Sequence, residues 1–116
     1  MHEANVMRMR FSDYYAHILQ EAKRREHTKQ EVDTIIMWLT GYDEKMLNQM
    51  RESHIDMDHF IQDAPAIHPN ASMIQGVIGN QKVEDMEEST LKTVRQLEIM
   101  LNELNKHEPL SVILRS

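Results

Sequence analysis

The segment from Thr28 to Gly41 constrains the fold more than any other part of the chain. Thr28 and Glu31 form the Thr-x-x-Glu pattern of a capping box, in which each side chain accepts a hydrogen bond from a free backbone N–H at a helix start. Gly41 stands where a helix commonly ends with a left-handed residue. Between them, apolar residues recur at the three- and four-residue spacing of one helix face: Val32, Ile35, Ile36 and Leu39. The segment therefore predicts one helix with a buried stripe and defined ends.

Helical spacing also accounts for most of the remaining chain. A first helix is expected after Phe11, another after Asp43 as a cap, and a short one around residues 56–64. From about Val83 to His107 the spacing continues for roughly seven turns, and a last short helix follows. Residues 73–83 fit a helical turn and a short strand equally well. We predict an all-α, single-domain orthogonal bundle of five or six helices over residues 1–116, with a long penultimate helix and with residues 1–10 able to stay disordered.

Charge and cysteine usage limit the classes of function. Nineteen acidic and thirteen basic residues give a net charge of −6, which opposes attraction to nucleic-acid phosphates and to anionic lipids. The chain has no cysteine, which excludes disulfides and thiolate chemistry. The first residues lack the pattern of a signal peptide, and no apolar run is long enough to cross a membrane. We expect a cytoplasmic protein that does not bind membranes.

One helix corner concentrates rare side chains and is the candidate ligand site. Trp38, Tyr42 and Asp43 surround Gly41, and corners are places where helices expose concave surface. Tyr15 and His17 on the first helix would join them if that helix packs on the corner. A histidine beside a carboxylate is also the arrangement of a general base. The simpler alternative, which we take as the default, is that these residues only build the corner.

Histidines and carboxylates cluster between His54 and His59, with Asp56 and Asp58 between them. These are ligand types that zinc and manganese accept. On a helix, however, the four side chains would lie on two different faces, and Asp56 is well placed to cap a helix. We therefore predict no metal site and no cofactor. The sequence also lacks a nucleophile elbow, a phosphate-binding loop and a zinc-protease pattern, so an enzyme is the less favoured possibility.

Three functions remain open. The leading hypothesis is a noncatalytic cytosolic protein-interaction module that self-associates as a homodimer through its long helix and C-terminal helix. The alternative is a small-molecule binding protein or enzyme with a cleft at the Trp38–Asp43 corner. Weak binding of nucleic acid is a third, less favoured hypothesis.

Three stretches of the sequence resemble a bacterial family known as the domain of unknown function 2200: TKQEVDTIIMWLTGYDE, APAIHPNAS with GVIGNQKVEDME after it, and RQLEIMLNELNKHEPLSVILR. Phe11, Tyr15 and His17 also match the pattern of that family. The resemblance implies a mainly α-helical, single-domain protein of the bacterial cytosol, and it implies no activity. The sequence departs from the pattern at Glu26, where glycine is usual, and at Ser89, where proline is usual.

Overall fold

The computed structural model describes residues 3–115, and helices dominate them. This confirms the prediction of a predominantly helical fold. Seven α-helices lie within the described residues, one more than the upper number expected, and a small hairpin precedes the sixth. The elements are α1 (Glu3–Arg8), α2 (Phe11–Arg24), α3 (Lys29–Thr40), α4 (Glu44–Glu52), α5 (Met57–Gln62), β1 (Val77–Ile78), β2 (Gln81–Lys82), α6 (Thr90–Asn105) and α7 (Leu110–Ile113).

Helix α3 forms as the capping box predicts. The Glu31 N–H donates to Thr28 Oγ1 at 3.1 Å, and the Thr28 N–H donates to Glu31 Oε1 at 2.9 Å. The helix ends at Gly41, whose φ of 80° is left-handed. The whole apolar stripe is inaccessible to solvent: Val32, Ile35, Ile36 and Leu39. Local chemistry thus fixes both ends of the helix and the face that it buries.

A single core joins α2, α3, α5 and α6. Phe11 of α2 and Phe60 of α5 stack with ring centroids 3.8 Å apart and planes 6° from parallel. Burial of aromatic rings of this size is a large share of the stabilising free energy of a small domain. Flexible methionine side chains fill part of the same core, as at Met57 and Met100. This core fixes α2 against α6, which is the arrangement that forms the candidate site.

The start of the chain corrects one expectation. Residues 3–8 form helix α1 rather than a disordered segment, and Val6 is only 2% exposed. Backbone pairing also ties the following residues down, because the Phe11 N–H donates to the Ile55 carbonyl at 2.8 Å and the Met57 N–H donates to the Met9 carbonyl at 2.8 Å. Residues 1 and 2, included in the same expectation, lie outside the described residues.

The penultimate helix is shorter than the sequence spacing suggested. Helix α6 begins at Thr90 and has 16 residues, because Ser89 caps it by accepting a hydrogen bond from the Lys92 N–H at 3.1 Å. The preceding residues Val83–Asp85 form a separate 3-10 turn. The expected length of about 25 residues was therefore wrong. The homodimer hypothesis therefore has a shorter helix to work with than the sequence suggested.

The open question over residues 73–83 is decided in favour of strands. Val77 pairs with Lys82 and Ile78 pairs with Gln81 in an antiparallel hairpin. Gly79 takes the first central position of the two-residue loop with a φ of 63°, which glycine adopts without strain. The preference of Gly79 for a tight turn thus decides the local structure, although the apolar spacing of this segment also fits a helical turn. We call this segment, residues 77–82, the hairpin.

One departure from the family pattern, at Glu26, lies in the connection between α2 and α3. Glu26 has a φ of 70°, in the left-handed region, where a side chain is strained and glycine is not. A glycine at this position would relieve that strain. The turn is nevertheless formed, and the His27 N–H donates to the Ala22 carbonyl at 2.9 Å.

Candidate ligand-binding site

The Trp38–Asp43 corner, which the sequence offered as a candidate cleft beside the default structural role, is covered by the segment that contains Ala66 and His68. The Ala66 N–H donates to the Thr40 carbonyl at 3.1 Å, and the His68 N–H donates to the Leu39 carbonyl at 3.0 Å. These bonds satisfy carbonyls at the C-terminal end of α3, which have no partner within the helix. A Cβ placed on Gly41 would lie 2.9 Å from the Ala66 backbone nitrogen. The segment around Ala66 therefore packs directly on the corner, which fits the default structural role and leaves no cleft at Gly41.

The three corner side chains have structural contacts. Tyr42 is buried, and its hydroxyl donates to the Phe60 carbonyl at 2.7 Å. Burial, with the negative charge of Asp63 adding to it, raises the pKa of Tyr42 to about 12. Asp43 is exposed and caps α4 by accepting from the Met46 N–H at 2.8 Å. Trp38 is half-buried and stacks on the His68 ring at 4.0 Å.

Tyr15 belongs to a buried polar cluster between α2 and α3. Its hydroxyl donates to Asp33 Oδ1 at 2.6 Å, and Lys29 Nζ donates to Asp33 Oδ2 at 2.6 Å. The Arg51 guanidinium lies 4.5 Å from the centre of the Tyr15 ring, a cation–π contact that brings in α4. Burial, followed by the hydrogen bond and negative charge of Asp33, raises the pKa of Tyr15 well above its usual range. The cluster ties three helices together.

His17 is the predicted site residue that does line a cavity. It is exposed on α2, one turn from the buried Tyr14. Tyr15, Trp38, Tyr42 and Asp43 line neither of the two cavities described below. The five side chains are thus not brought together around either cavity.

A cavity of about 730 Å³ lies between α2, α6 and the hairpin, and we call it the hairpin cavity. Its volume is in the usual range for sites that hold small molecules. Most of its surface is apolar, although half of the lining residues carry a polar or charged side chain. The lining residues are Val6, Tyr14, His17, Ile18, Ile78, Gly79, Asn80, Gln81, Val83, Met86, Arg95 and Glu98.

Tyr14 is the unusual side chain of this lining. It is 5% exposed, and its buried hydroxyl has no hydrogen-bond partner among residues 3–115. Burial raises the pKa of Tyr14 far above its usual range; the negative charge of Glu98 adds to the effect and Arg95 opposes it. Leaving a buried hydroxyl unpaired costs about 1–3 kcal/mol, so such groups in folded proteins call for a physical explanation.

An ion pair flanks Tyr14. Arg95 Nη1 donates to Glu98 Oε1 at 2.5 Å, across three residues of α6. The side chains are 11% and 24% exposed, so the pair is largely withdrawn from solvent rather than at an exposed rim. Burial raises the pKa of Glu98, although the positive charge of Arg95 acts in the opposite direction. The proton on Glu98 is consequently held more tightly than on an exposed glutamate.

A second cavity of about 170 Å³ adjoins the first, and we call it the small cavity. The two share Tyr14, His17, Ile18 and Glu98. The small cavity is also lined by Asn105, whose Oδ1 is buried without a partner among residues 3–115. Two buried polar atoms that need partners therefore belong to residues lining the same space.

The histidine cluster between His54 and His59 has a structural role. Asp56 caps α5 by accepting from the His59 N–H at 2.8 Å, and it also contacts His59 Nδ1 at 2.7 Å. Asp58 accepts from the Thr90 hydroxyl at 2.6 Å. Within the described part of the chain, no three histidine, cysteine or acidic side chains are grouped as metal ligands would be. None of the helices there is long and apolar enough to cross a membrane.

Comparison with known proteins identifies the class to which the chain belongs. Residues 5–115 match the family model described as "Uncharacterized protein conserved in bacteria (DUF2200)". The chain is therefore a member of this bacterial family, which confirms the resemblance drawn from the sequence.

A solved structure shares the fold. The crystal structure of the uncharacterized protein SP1917 has a TM-score of 0.89 and 21% sequence identity; 98% of this chain and 93% of that chain are covered. At this level of identity the likeness shows the fold alone. No curated protein matches the chain significantly.

Proposed function

We propose that this protein binds a small amphipathic molecule in the hairpin cavity. The observation that carries the proposal is the buried, unpaired hydroxyl of Tyr14 beside a cavity of about 730 Å³. A ligand that filled the cavity would bury the apolar lining, and the Tyr14 hydroxyl, which is itself inaccessible to solvent, would gain a partner by turning toward the ligand. Both effects favour the bound state, since buried apolar surface and satisfied polar groups each lower the free energy.

The ligand-binding alternative that the sequence suggested is thereby kept, but the site lies in a different part of the molecule. The corner between Trp38 and Asp43 is packed against the segment containing Ala66 and His68. The hairpin cavity, by contrast, combines a mostly apolar surface with polar side chains that are able to orient a ligand. Binding a ligand through this lining requires no catalytic group.

The protein-interaction hypothesis has less support. Helix α6 buries much of its surface inside its own chain, and α7 offers one exposed large apolar side chain, Val112, at 55% exposure. Homodimerisation through α6 and α7 stays a prediction that a calibrated sizing column tests. A net charge of −6 disfavours the weak nucleic-acid binding that was considered third. A cytoplasmic location remains part of the proposal, supported by the absence of cysteine.

Binding can be tested with N-phenyl-1-naphthylamine, an uncharged probe whose fluorescence rises in apolar surroundings. We expect saturable enhancement with the full-length wild-type chain. Substituting Ile18→Trp or Gln81→Trp places an indole in the cavity, so we expect at least a tenfold weaker response from both variants. Ile18 is half-buried and Gln81 is exposed on β2, so the second substitution tests the cavity with less risk to folding.

Val112→Trp is the matched control. It adds the same side chain at an exposed position of α7 that does not line either cavity, so its response should equal that of the wild type. Circular dichroism verifies that each variant is folded. The proposal fails if the wild type shows no saturable enhancement, or if both cavity variants, folded, respond as strongly as the control.

A further inference from the structure

The two cavities form one binding space with two kinds of wall. They share Tyr14, His17, Ile18 and Glu98, so a single ligand can extend from one into the other. The hairpin cavity contributes apolar side chains such as Ile78 and Met86. The small cavity brings Asn105 to the same space as Tyr14. A fitting ligand consequently has an apolar body and a polar end.

The unpaired atoms define what the polar end must do. Asn105 Oδ1 accepts hydrogen bonds and needs a donor, whereas the Tyr14 hydroxyl can both donate and accept. Rotation of the Asn105 amide by half a turn would present a donor instead, which then needs an acceptor. Both atoms are inaccessible to solvent, so the side chains must turn toward a ligand in order to bind it. In either orientation of the amide, a ligand group that both donates and accepts is able to pair with each of the two side chains. A hydroxyl or a primary carboxamide has this property. A carboxylate accepts only, and an ammonium group donates only.

The charges around the space argue against a charged ligand. Glu98 is paired with Arg95 at 2.5 Å. Glu21, on the small cavity, is paired with Arg24 at 2.8 Å and lies 3.5 Å from Arg25. The acidic groups of the lining are therefore already compensated by cations, and a charged ligand would bring an unpaired ion into a partly apolar space. That transfer is costly unless the ion gains a partner.

From these observations, and resting on the proposed function, we propose the chemical class of the ligand. It is an uncharged molecule with an apolar body and a hydroxyl or primary carboxamide group, which hydrogen-bonds Tyr14 and Asn105. The apolar body occupies the hairpin cavity. The polar group lies in the small cavity.

Three probes with the same ring system test this inference by titration calorimetry on the full chain. They are 1-naphthaleneacetamide, its acid 1-naphthaleneacetic acid, and 1-ethylnaphthalene, which has no polar group. We expect the amide to bind about tenfold more tightly than either of the others, which is what one well-made hydrogen bond contributes. Tyr14→Phe and Asn105→Leu should each remove most of that advantage, so that the amide and 1-ethylnaphthalene bind with similar affinity. Tyr42→Phe, which alters a tyrosine outside the lining, should preserve the advantage.

The outcomes separate this inference from the proposed function. If the three probes bind within about threefold of one another, the cavity binds ligands but its polar preference is refuted. If the acid binds most tightly, the inference is also refuted, and Arg95 then pairs with the ligand carboxylate in place of Glu98. If both variants are folded and keep the amide preference, Tyr14 and Asn105 do not recognise the amide. If none of the three probes binds, the inference is overturned, and N-phenyl-1-naphthylamine then decides separately whether the cavity binds anything.

Discussion

Three buried tyrosines provide a matched test of the structural argument. Tyr14, Tyr15 and Tyr42 are 5%, 2% and 2% exposed, so replacing each by phenylalanine changes apolar burial to a similar small extent. The three differ in their hydroxyl groups. Tyr15 donates to the Asp33 carboxylate and Tyr42 donates to the Phe60 carbonyl, whereas the Tyr14 hydroxyl has no partner among residues 3–115.

The expected changes in the free energy of unfolding follow from these partners. Tyr15→Phe removes a hydrogen bond to a charged group and should destabilise the protein by about 1.5–3 kcal/mol. Tyr42→Phe removes a neutral bond and should cost about 1–2 kcal/mol. Tyr14→Phe removes an unsatisfied hydroxyl, so stability should stay the same or rise by up to about 1 kcal/mol.

Urea unfolding followed by tryptophan fluorescence measures these differences. Trp38 is the only tryptophan, and its stack on His68 is lost on unfolding. In thermal unfolding, 1 kcal/mol corresponds to a shift of roughly 3–6 °C in the midpoint for a domain of this size. If Tyr14→Phe destabilises the protein as much as Tyr42→Phe, the Tyr14 hydroxyl has a partner in the folded state and the argument for the ligand site fails.

Three further perturbations test the fold and the electrostatics. Gly41→Ala should destabilise the protein by more than Gly79→Ala in urea unfolding. Both glycines have a positive φ, but only at Gly41 would the added Cβ meet the Ala66 backbone, at 2.9 Å. Equal losses of stability would refute the close packing at Gly41. Glu26→Gly should stabilise by about 0.5–1 kcal/mol by relieving left-handed strain, and a melting curve at or below that of the wild type would contradict this. Because burial raises the pKa of Glu98 in the folded state, its contribution to stability is present below its unfolded pKa and is lost as the pH rises through its folded pKa. The stability of Glu98→Gln relative to wild type should therefore increase between about pH 4 and pH 7 in urea titrations, and a flat difference would show that Glu98 titrates normally.

Elements fixed by short-range chemistry were predictable from the sequence. Thr28 and Glu31 cap α3 as expected, Gly41 ends it, and Asp43 and Asp56 cap the next two helices. Each of these features depends on residues within three or four positions of one another. The backbone N–H groups that need capping are local, so the sequence carries the information.

The start of α6 was not predicted, although a signal for it exists. Met86 fits the helical spacing of the following residues, and that coincidence extended the predicted helix to Val83. Ser89 is a strong capping residue inside that stretch, and in the structure it begins the helix. Apolar spacing alone cannot locate a helix start when a 3-10 turn precedes it.

The candidate site could not be found from the sequence. Tyr14 and Tyr15 are neighbours and both are buried, so apolar spacing does not distinguish them. They differ in their contact with Asp33, which lies eighteen residues after Tyr15. The Asp33 carboxylate accepts a hydrogen bond from the Tyr15 hydroxyl, whereas the Tyr14 hydroxyl has no partner among residues 3–115. Which tyrosine has a free hydroxyl is decided by how α2 packs on α3 and α6. His17 lines both cavities, but the sequence placed it at the Trp38–Asp43 corner, and the other residues predicted with it line neither cavity.

The central claim is that a small molecule binds between α2, α6 and the hairpin. Amide chemical-shift mapping of the ¹⁵N-labelled full chain during titration with 1-naphthaleneacetamide tests it most directly. The account predicts saturable shifts concentrated at residues 14–18, 78–81 and 95–105, which surround the two cavities. Shifts centred on residues 38–43, or no saturable shifts at all, would contradict it.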